Sequence, residues 1–391
     1  MEGDFIKIND WLLPLSWIYG AGVRLRNQMF EMGMLKSRSF DIPVISVGNI
    51  TVGGSGKTPH VEYLINLLRD KVKVAVLSRG YKRKSKGYML ATADTPMSDI
   101  GDEPYQMKKK FADIYVAVDK DRCHGIDQLT TNEETSDTDV ILLDDAYQHR
   151  YVKPGVNILL VDYHRLIMYD KLLPAGRLRE PQKGKARADI VIVSKCPAEL
   201  KPMEFRVITK AMNLFPYQKL YFTTLKYGSL RPIYGGEDRK LDTLTGDTSI
   251  LLLTGIASPQ QMIVDLKPYT ERITPLTFPD HHQYTDADID RINAEFEAMK
   301  GNDKMIVTTE KDNARLCGME GLSDEVKKNI YVLPVEVGFM LDQEEDFNEN
   351  IIGYVRKNSR NSILAKAKDD NKSDNSDNSG NRTRTISFRN N

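Results

Sequence analysis

A glycine-rich loop sits between an apolar run and an amphipathic one, and no other feature of this chain narrows the possible folds as much. Gly48-Asn49-Ile50-Thr51-Val52-Gly53-Gly54-Ser55-Gly56-Lys57-Thr58-Pro59 follows the apolar run Val44–Val47. It precedes Val61, Leu64, Ile65, Leu67 and Leu68, which recur at helical spacing. A strand, a glycine turn and a helix in that order form a phosphate cradle. Glycines let backbone N–H groups turn inward on a polyphosphate, Lys57 reaches its outer phosphates, and the Thr58 hydroxyl is a Mg²⁺ ligand. The helix that follows points its positive end at the same anion. The cradle therefore comprises Thr51, Val52, Gly53, Gly54, Ser55, Gly56, Lys57 and Thr58, and the expected ligand is a nucleotide. One position departs from the usual pattern, because its first glycine falls on Thr51.

The flanking sequence extends this unit into a sheet. Val72–Leu77, Ile114–Val118, Val140–Leu143, Ile158–Val161 and Ile190–Val193 are short, nearly continuous apolar runs separated by helical patterns. Such runs predict strands buried on both faces, as in a parallel sheet, and hence a doubly wound α/β domain of the P-loop NTPase kind. Near Tyr227–Gly236 the texture shifts to Gly, Pro and Tyr, which predicts a hairpin or linker. Further strands are expected at Ile250–Leu253, Ile273–Leu276, Lys304–Thr308 and Ile330–Leu333, with helices at Pro259–Leu266 and Asp286–Lys300. The expected organisation is an N-terminal interfacial region over 1–40, a P-loop kinase domain over 41–226, a smaller α/β domain over 227–360, and a disordered polar tail over 361–391. A length of 391 residues suits about two domains.

Composition excludes several classes. The formal net charge is zero, so bulk charge marks no partner, and no nucleic-acid recognition module or protein partner is expected. Cys123, Cys196 and Cys317 are far apart and odd in number, which argues against a disulfide framework or structural zinc site and for a reducing compartment. No segment has the ~20 apolar residues of a spanning helix, and no signal peptide is expected. The N-terminus is still unusual. Trp11 and Trp17, the only tryptophans, lie with Tyr19, Arg24, Arg26, Met29, Phe30, Met32 and Met34. This mixture fits either the water–lipid boundary or a helix packed on the protein's own core.

Several motifs carry chemistry. Val140-Ile141-Leu142-Leu143-Asp144-Asp145 ends an apolar run in carboxylates, which places them at the carboxyl edge of the sheet beside the glycine loop, where they can serve Mg²⁺. Gly101-Asp102-Glu103-Pro104 opens a helix. Asp102 or Glu103 is either the base that accepts a proton from an alcohol or simply part of the helix start. Phe278-Pro279-Asp280-His281-His282 puts two of six histidines beside an Asp, an acid–base arrangement or a structural one. Basic clusters follow strands at Arg79–Lys86 and at Arg177, Arg179, Lys183, Lys185 and Arg187, where guanidinium forks suit phosphate oxygens. Thr308-Thr309-Glu310-Lys311-Asp312-Asn313-Ala314-Arg315 closes a strand of the second domain and either borders the nucleotide cleft or caps a helix.

In this order the motifs Gly48–Pro59, Ser78-Arg79-Gly80-Tyr81, Gly101–Pro104, Asp144–His149, Leu173–Pro181, Asp280-His281-His282 and Thr309–Asp312 resemble the tetraacyldisaccharide 4'-kinase family, the lipid A 4'-kinases of Gram-negative bacteria. The resemblance accounts for Thr51. Ser55 stands where members often have Thr, and Ala146-Tyr147 replaces the commoner Gly-Phe. It implies two α/β domains with the site between them and an N-terminal helix region at the cytoplasmic face of the inner membrane. It implies transfer of the γ-phosphate of ATP to the 4'-hydroxyl of a lipid A disaccharide 1-phosphate. Asp102 would activate that hydroxyl, paired with His281. Thr58, Glu103, Asp144 and Asp145 would serve Mg²⁺, and Lys57 the phosphates. Arg177 and Arg122 would contact phosphate or headgroup. The rival expectation is a P-loop regulatory ATPase that acts on a protein partner and needs no acceptor base.

Overall fold

The computed structural model describes residues 8–256, 259–280, 282–316 and 319–359. In chain order its strands are β1 (Val44–Gly48), β2 (Val74–Ser78), β3 (Met89–Leu90), β4 (Tyr115–Val118), β5 (Val140–Asp144), β6 (Val156–Asp162), β7 (Ile190–Ser194), β8 (Lys219–Tyr227), β9 (Arg231–Pro232), β10 (Ser249–Thr254), β11 (Ile273–Thr277), β12 (Lys304–Thr309), β13 (Ile330–Leu333) and β14 (Val335–Phe339). Among the described residues they form two sheets. The larger has the order β14-β8-β7-β6-β1-β5-β2-β4-β3 and the smaller β11-β10-β12-β13-β9.

The interior of the large sheet is parallel, with antiparallel pairing only at its two edges. Every residue of β1, β2, β5 and β7 is buried, which is why those segments read as unbroken apolar runs. β1 is central, with β5 and β6 on either side. Its neighbour β5 enters in register, Val47 opposite Asp144, so the glycine loop and the carboxylate pair leave the sheet side by side. The strand order reverses there, the usual place for a ligand in an open α/β sheet.

The predicted strands and helices of the smaller unit are present, including the helix Asp286–Ala298 with Thr285 as N-cap in a capping box with Asp288. The chain does not stay in that unit to residue 360, however. After β13, Pro334 ends the small sheet, and β14 crosses back to pair with β8. The helix Glu344–Asn358 then lays Phe347, Ile351 and Val355 into the core over β1, β6 and β7. Phe347 meets Phe339 at 4.6 Å and Tyr221 at 5.3 Å between ring centroids. The segment expected to belong to the 227–360 domain is thus shared between the two sheets. Burial of this aromatic cluster drives the return, and it depends on partners distant in sequence. The chain passes between units at Gly228 and Pro334, where the Gly228 N–H donates to the Pro334 carbonyl at 3.0 Å.

The first ordered helix, Leu13–Glu31, is amphipathic in use. Ser16 Oγ donates to the Leu172 carbonyl (3.0 Å), Tyr19 Oη to the Arg179 carbonyl (2.8 Å) and Arg26 to the Gln148 carbonyl (3.3 Å). Trp11 (93%), in the turn before the helix, and Trp17 (67%) and Ile18 (71%) within it are exposed. Among the described residues no helix is long and apolar enough to cross a membrane. The expected tail over 361–391 lies outside the described residues.

Candidate active site

The glycine loop is held from several sides. Asn49 Nδ2 donates to Ser55 Oγ (2.8 Å), and Ser194 Oγ on β7 donates to the Ser55 carbonyl (2.9 Å). The Val52 N–H donates to the Arg177 carbonyl (2.8 Å), and the Arg179 N–H to the Ile50 carbonyl (2.7 Å), so the 177–179 segment runs alongside the loop. Lys195 donates to the Gly54 carbonyl and pairs with Asp162 at 3.0 Å. Gly56 takes φ +78° immediately before the helix Lys57–Leu68, a conformation that only glycine adopts without strain. Buried His60 secures that turn. Its Nδ1–H donates to the Gly56 carbonyl (2.7 Å), which leaves Nε2 to accept from the Thr223 hydroxyl (3.0 Å). Burial draws its pKa down to about 4, so the ring is neutral at physiological pH.

Beyond the loop, Asp144 ends β5 and Asp145 follows with φ +47°, a left-handed backbone that Asp tolerates better than most residues. Lys57 Nζ lies 3.5 Å from Asp145 Oδ1, and Arg179 lies 3.5 Å from Asp145 Oδ2. Burial opposes the Asp145 charge, but Lys57, Arg179 and Arg122 outweigh it and hold the carboxyl below the usual range. Asp144 behaves oppositely. Burial, with Glu103 and Asp145 close by, pushes it up to about 7, and Ser78 Oγ donates to it at 3.3 Å. Burial also draws the Arg122 guanidinium down to about 10, against the pull of Asp145 and Asp144.

Asp102 and Glu103 begin the helix Asp102–Lys110, whose N-cap is Gly101 at φ +90°. Asp102 is therefore not the cap. Its Oδ2 accepts from Arg315 Nε (2.9 Å) and an Arg315 terminal nitrogen (2.6 Å), across the gap between units. Lys311 lies 3.8 Å from Glu103 and 3.4 Å from Asp280. A cleft of about 310 Å³ is lined on one side by Gly54–Thr58, Glu62 and Glu103, and on the other by Asp280, Thr309 and Lys311. Larger hollows lie elsewhere. One of about 770 Å³ runs between the N-terminal helix and residues 170–187, lined by Leu13, Trp17, Leu172 and Leu178 among others.

Most of the sequence-predicted residues converge here. Thr51 to Thr58 form the loop, and Glu103, Asp144 and Asp145 face it. His281 lies outside the described residues. Arg177 is exposed, and its neighbour Arg179 is the arginine that reaches Asp145. Sequence reasoning gave His60 and Asn49 no role of their own, and it named Arg315 only as the end of the Thr308–Arg315 segment, without its contact to Asp102.

This geometry has close counterparts. The model of the Tetraacyldisaccharide-1-P 4'-kinase family matches residues 8–356. The chain belongs to that family. A tetraacyldisaccharide 4'-kinase of Phocaeicola vulgatus is 61% identical over 93% of this chain and 99% of its own length. One of Bacteroides fragilis is 54% identical over 95% and 100%. The solved structure of LpxK from Aquifex aeolicus in complex with ATP superposes with a TM-score of 0.67 at 32% identity, covering 88% of this chain and 98% of that one. The expected fold class and the expected kinase activity in lipid A biosynthesis are thereby borne out, and the regulatory-ATPase alternative is set aside.

Proposed function

We propose that this tetraacyldisaccharide 4'-kinase binds Mg·ATP in the cleft between Lys57 and Lys311 and uses Asp102 as the base. One observation carries the reading: the helix that opens with Asp102 and Glu103 begins at the same cleft that the glycine loop lines. Loop N–H groups and Lys57 hold the phosphates. As the acceptor 4'-oxygen bonds to the γ-phosphorus, its proton passes to Asp102, and the bond from that phosphorus to the β–γ bridging oxygen breaks to leave ADP. Closure of the small-sheet unit about Gly228 and Pro334 excludes water.

The residues present fit a divalent cation. Asp144 Oδ1 and Asp145 Oδ1 are buried without hydrogen-bond partners, Lys57 lies 3.5 Å from the latter, and burial together with the nearby Glu103 and Asp145 raises the Asp144 pKa. Thr58, Glu103, Asp144 and Asp145 would hold Mg²⁺, which when bound neutralises phosphate charge.

The acyl chains of the disaccharide 1-phosphate fit the hollow beneath the N-terminal helix, and the exposed Trp11, Trp17 and Ile18 face the lipid of the inner membrane at its cytoplasmic side. Arg177, exposed on the same loop, and Arg122 meet anionic groups of the acceptor. The test is transfer of labelled phosphate from ATP to detergent-dispersed acceptor. Asp102→Ala should abolish transfer while ATP still binds. Transfer at the native rate would refute the assignment of the base.

A further inference from the structure

We propose that Arg315 is a positioning residue that fixes the Asp102 carboxylate for proton transfer, so that the base is complete only when the small-sheet unit is docked. The proposal rests on the reading of Asp102 as base. Arg315 belongs to the helix Glu310–Leu316 that follows β12, in the unit opposite Asp102, and its side chain is fully buried. Two of its nitrogens, Nε and a terminal one, reach the same carboxylate oxygen of Asp102. A fork of this kind sets the direction of a carboxylate, which a lysine ammonium does not.

The guanidinium is itself anchored. Its other terminal nitrogen donates to the Gly255 carbonyl and to Asp312 Oδ1, both at 3.1 Å. Asp312 is in turn fixed, because its Oδ2 accepts from the Gly255 N–H (2.9 Å) and the Thr309 hydroxyl (2.7 Å). A chain of directed bonds therefore runs from the end of β10, through Asp312 and Arg315, to Asp102. A second ion pair joins the same two helices at the far end, Lys110 to Glu310 at 2.8 Å, with Glu62 at 2.6 Å. That pair supplies cohesion without touching Asp102, so the two effects can be separated.

A carboxylate displaced by about 1 Å loses on the order of 10²-fold in rate. Arg315→Ala should lower kcat by about that factor, with the dissociation constant for ATP changed by less than about threefold. Guanidinium ion added to Arg315→Ala should restore part of kcat, and should restore none to Asp102→Ala. Arg315→Lys should keep the fold and recover only a fraction of the rate. Lys110→Met should lower the melting temperature with little change in kcat.

The proposal is overturned if Arg315→Ala turns over at the native rate. It is equally overturned if its kcat loss is matched by Lys110→Met at equal destabilisation, since the clamp would then be merely structural. If Arg315→Ala does not fold, Arg315→Lys decides, and a native kcat there overturns the proposal. An Asp102→Ala enzyme that still transfers phosphate defeats the base assignment instead. A dead Asp102→Ala beside fully active Arg315 variants defeats only the clamp.

Discussion

Lys57 Nζ stands 3.5 Å from Asp145 Oδ1, so the lysine of the glycine loop and the carboxylate at the end of β5 form an ion pair across the two adjacent central strands. Phosphates entering the cleft would exchange this partner for their own oxygens. Lys57→Ala should therefore both weaken nucleotide binding and leave the Asp145 carboxylate with Arg179 as its remaining close cation. We expect kcat/KM to fall by roughly 10²–10³-fold, as when one donor to a developing oxyanion is lost. Steady-state phosphate transfer measures it, and a loss below tenfold would contradict the assigned role.

The neutral state of His60 has a consequence for acid stability. Its folded pKa of about 4 lies below the unfolded value near 6.5, so the unfolded chain binds the proton more readily. The contribution is complete above pH 6.5 and is lost as pH falls through 4. Burial pushes His149 to about 4 as well, and it acts in the same direction. Denaturant titrations at pH 7.5, 6 and 5 should show falling stability. The dependence should be shallower in His60→Gln, which removes the titrating ring.

The outer face of the N-terminal helix is predicted to touch lipid. Replacing Trp11, Trp17 and Ile18 together by serine should reduce co-sedimentation with anionic vesicles by about tenfold or more while ATP affinity is unchanged. Equal binding by the triple variant would remove that face from the membrane contact.

The return of the chain to the large sheet makes a stability prediction. Phe347 is 1% exposed and packs on Tyr221 and Phe339. Phe347→Ala should destabilise the large-sheet unit by about 3–5 kcal/mol. Denaturation followed by a probe in that unit would show it, and a change below about 1 kcal/mol would mean that the helix Glu344–Asn358 adds little to the core.

Most interior strands of the large sheet were legible because they are nearly continuous apolar runs, and the cradle because its glycines and Lys57-Thr58 are contiguous, but β8, interrupted by Thr223, Thr224 and Lys226, was not foreseen. Nor was β14. Val335–Phe339 follows β13 after a single proline, and local pattern carries no sign that its partner is β8, over a hundred residues earlier. The candidate site divided the same way. Asp144 and Asp145 announce themselves at the end of an apolar run, whereas Arg315 acquires its meaning only when folding carries it to Asp102. The resemblance pointed to Arg177, and no local signal marked its neighbour Arg179, which reaches Asp145 once backbone bonds hold the 177–179 segment against Ile50 and Val52.

The most direct measurement is a structure of this protein with Mg²⁺ and a non-hydrolysable ATP analogue. The account predicts the terminal phosphorus in the cleft, contacted by Lys57 and facing the end of the helix that starts with Asp102. A terminal phosphorus distant from both residues, with no rotation about Gly228 and Pro334 able to bring them together, would contradict it.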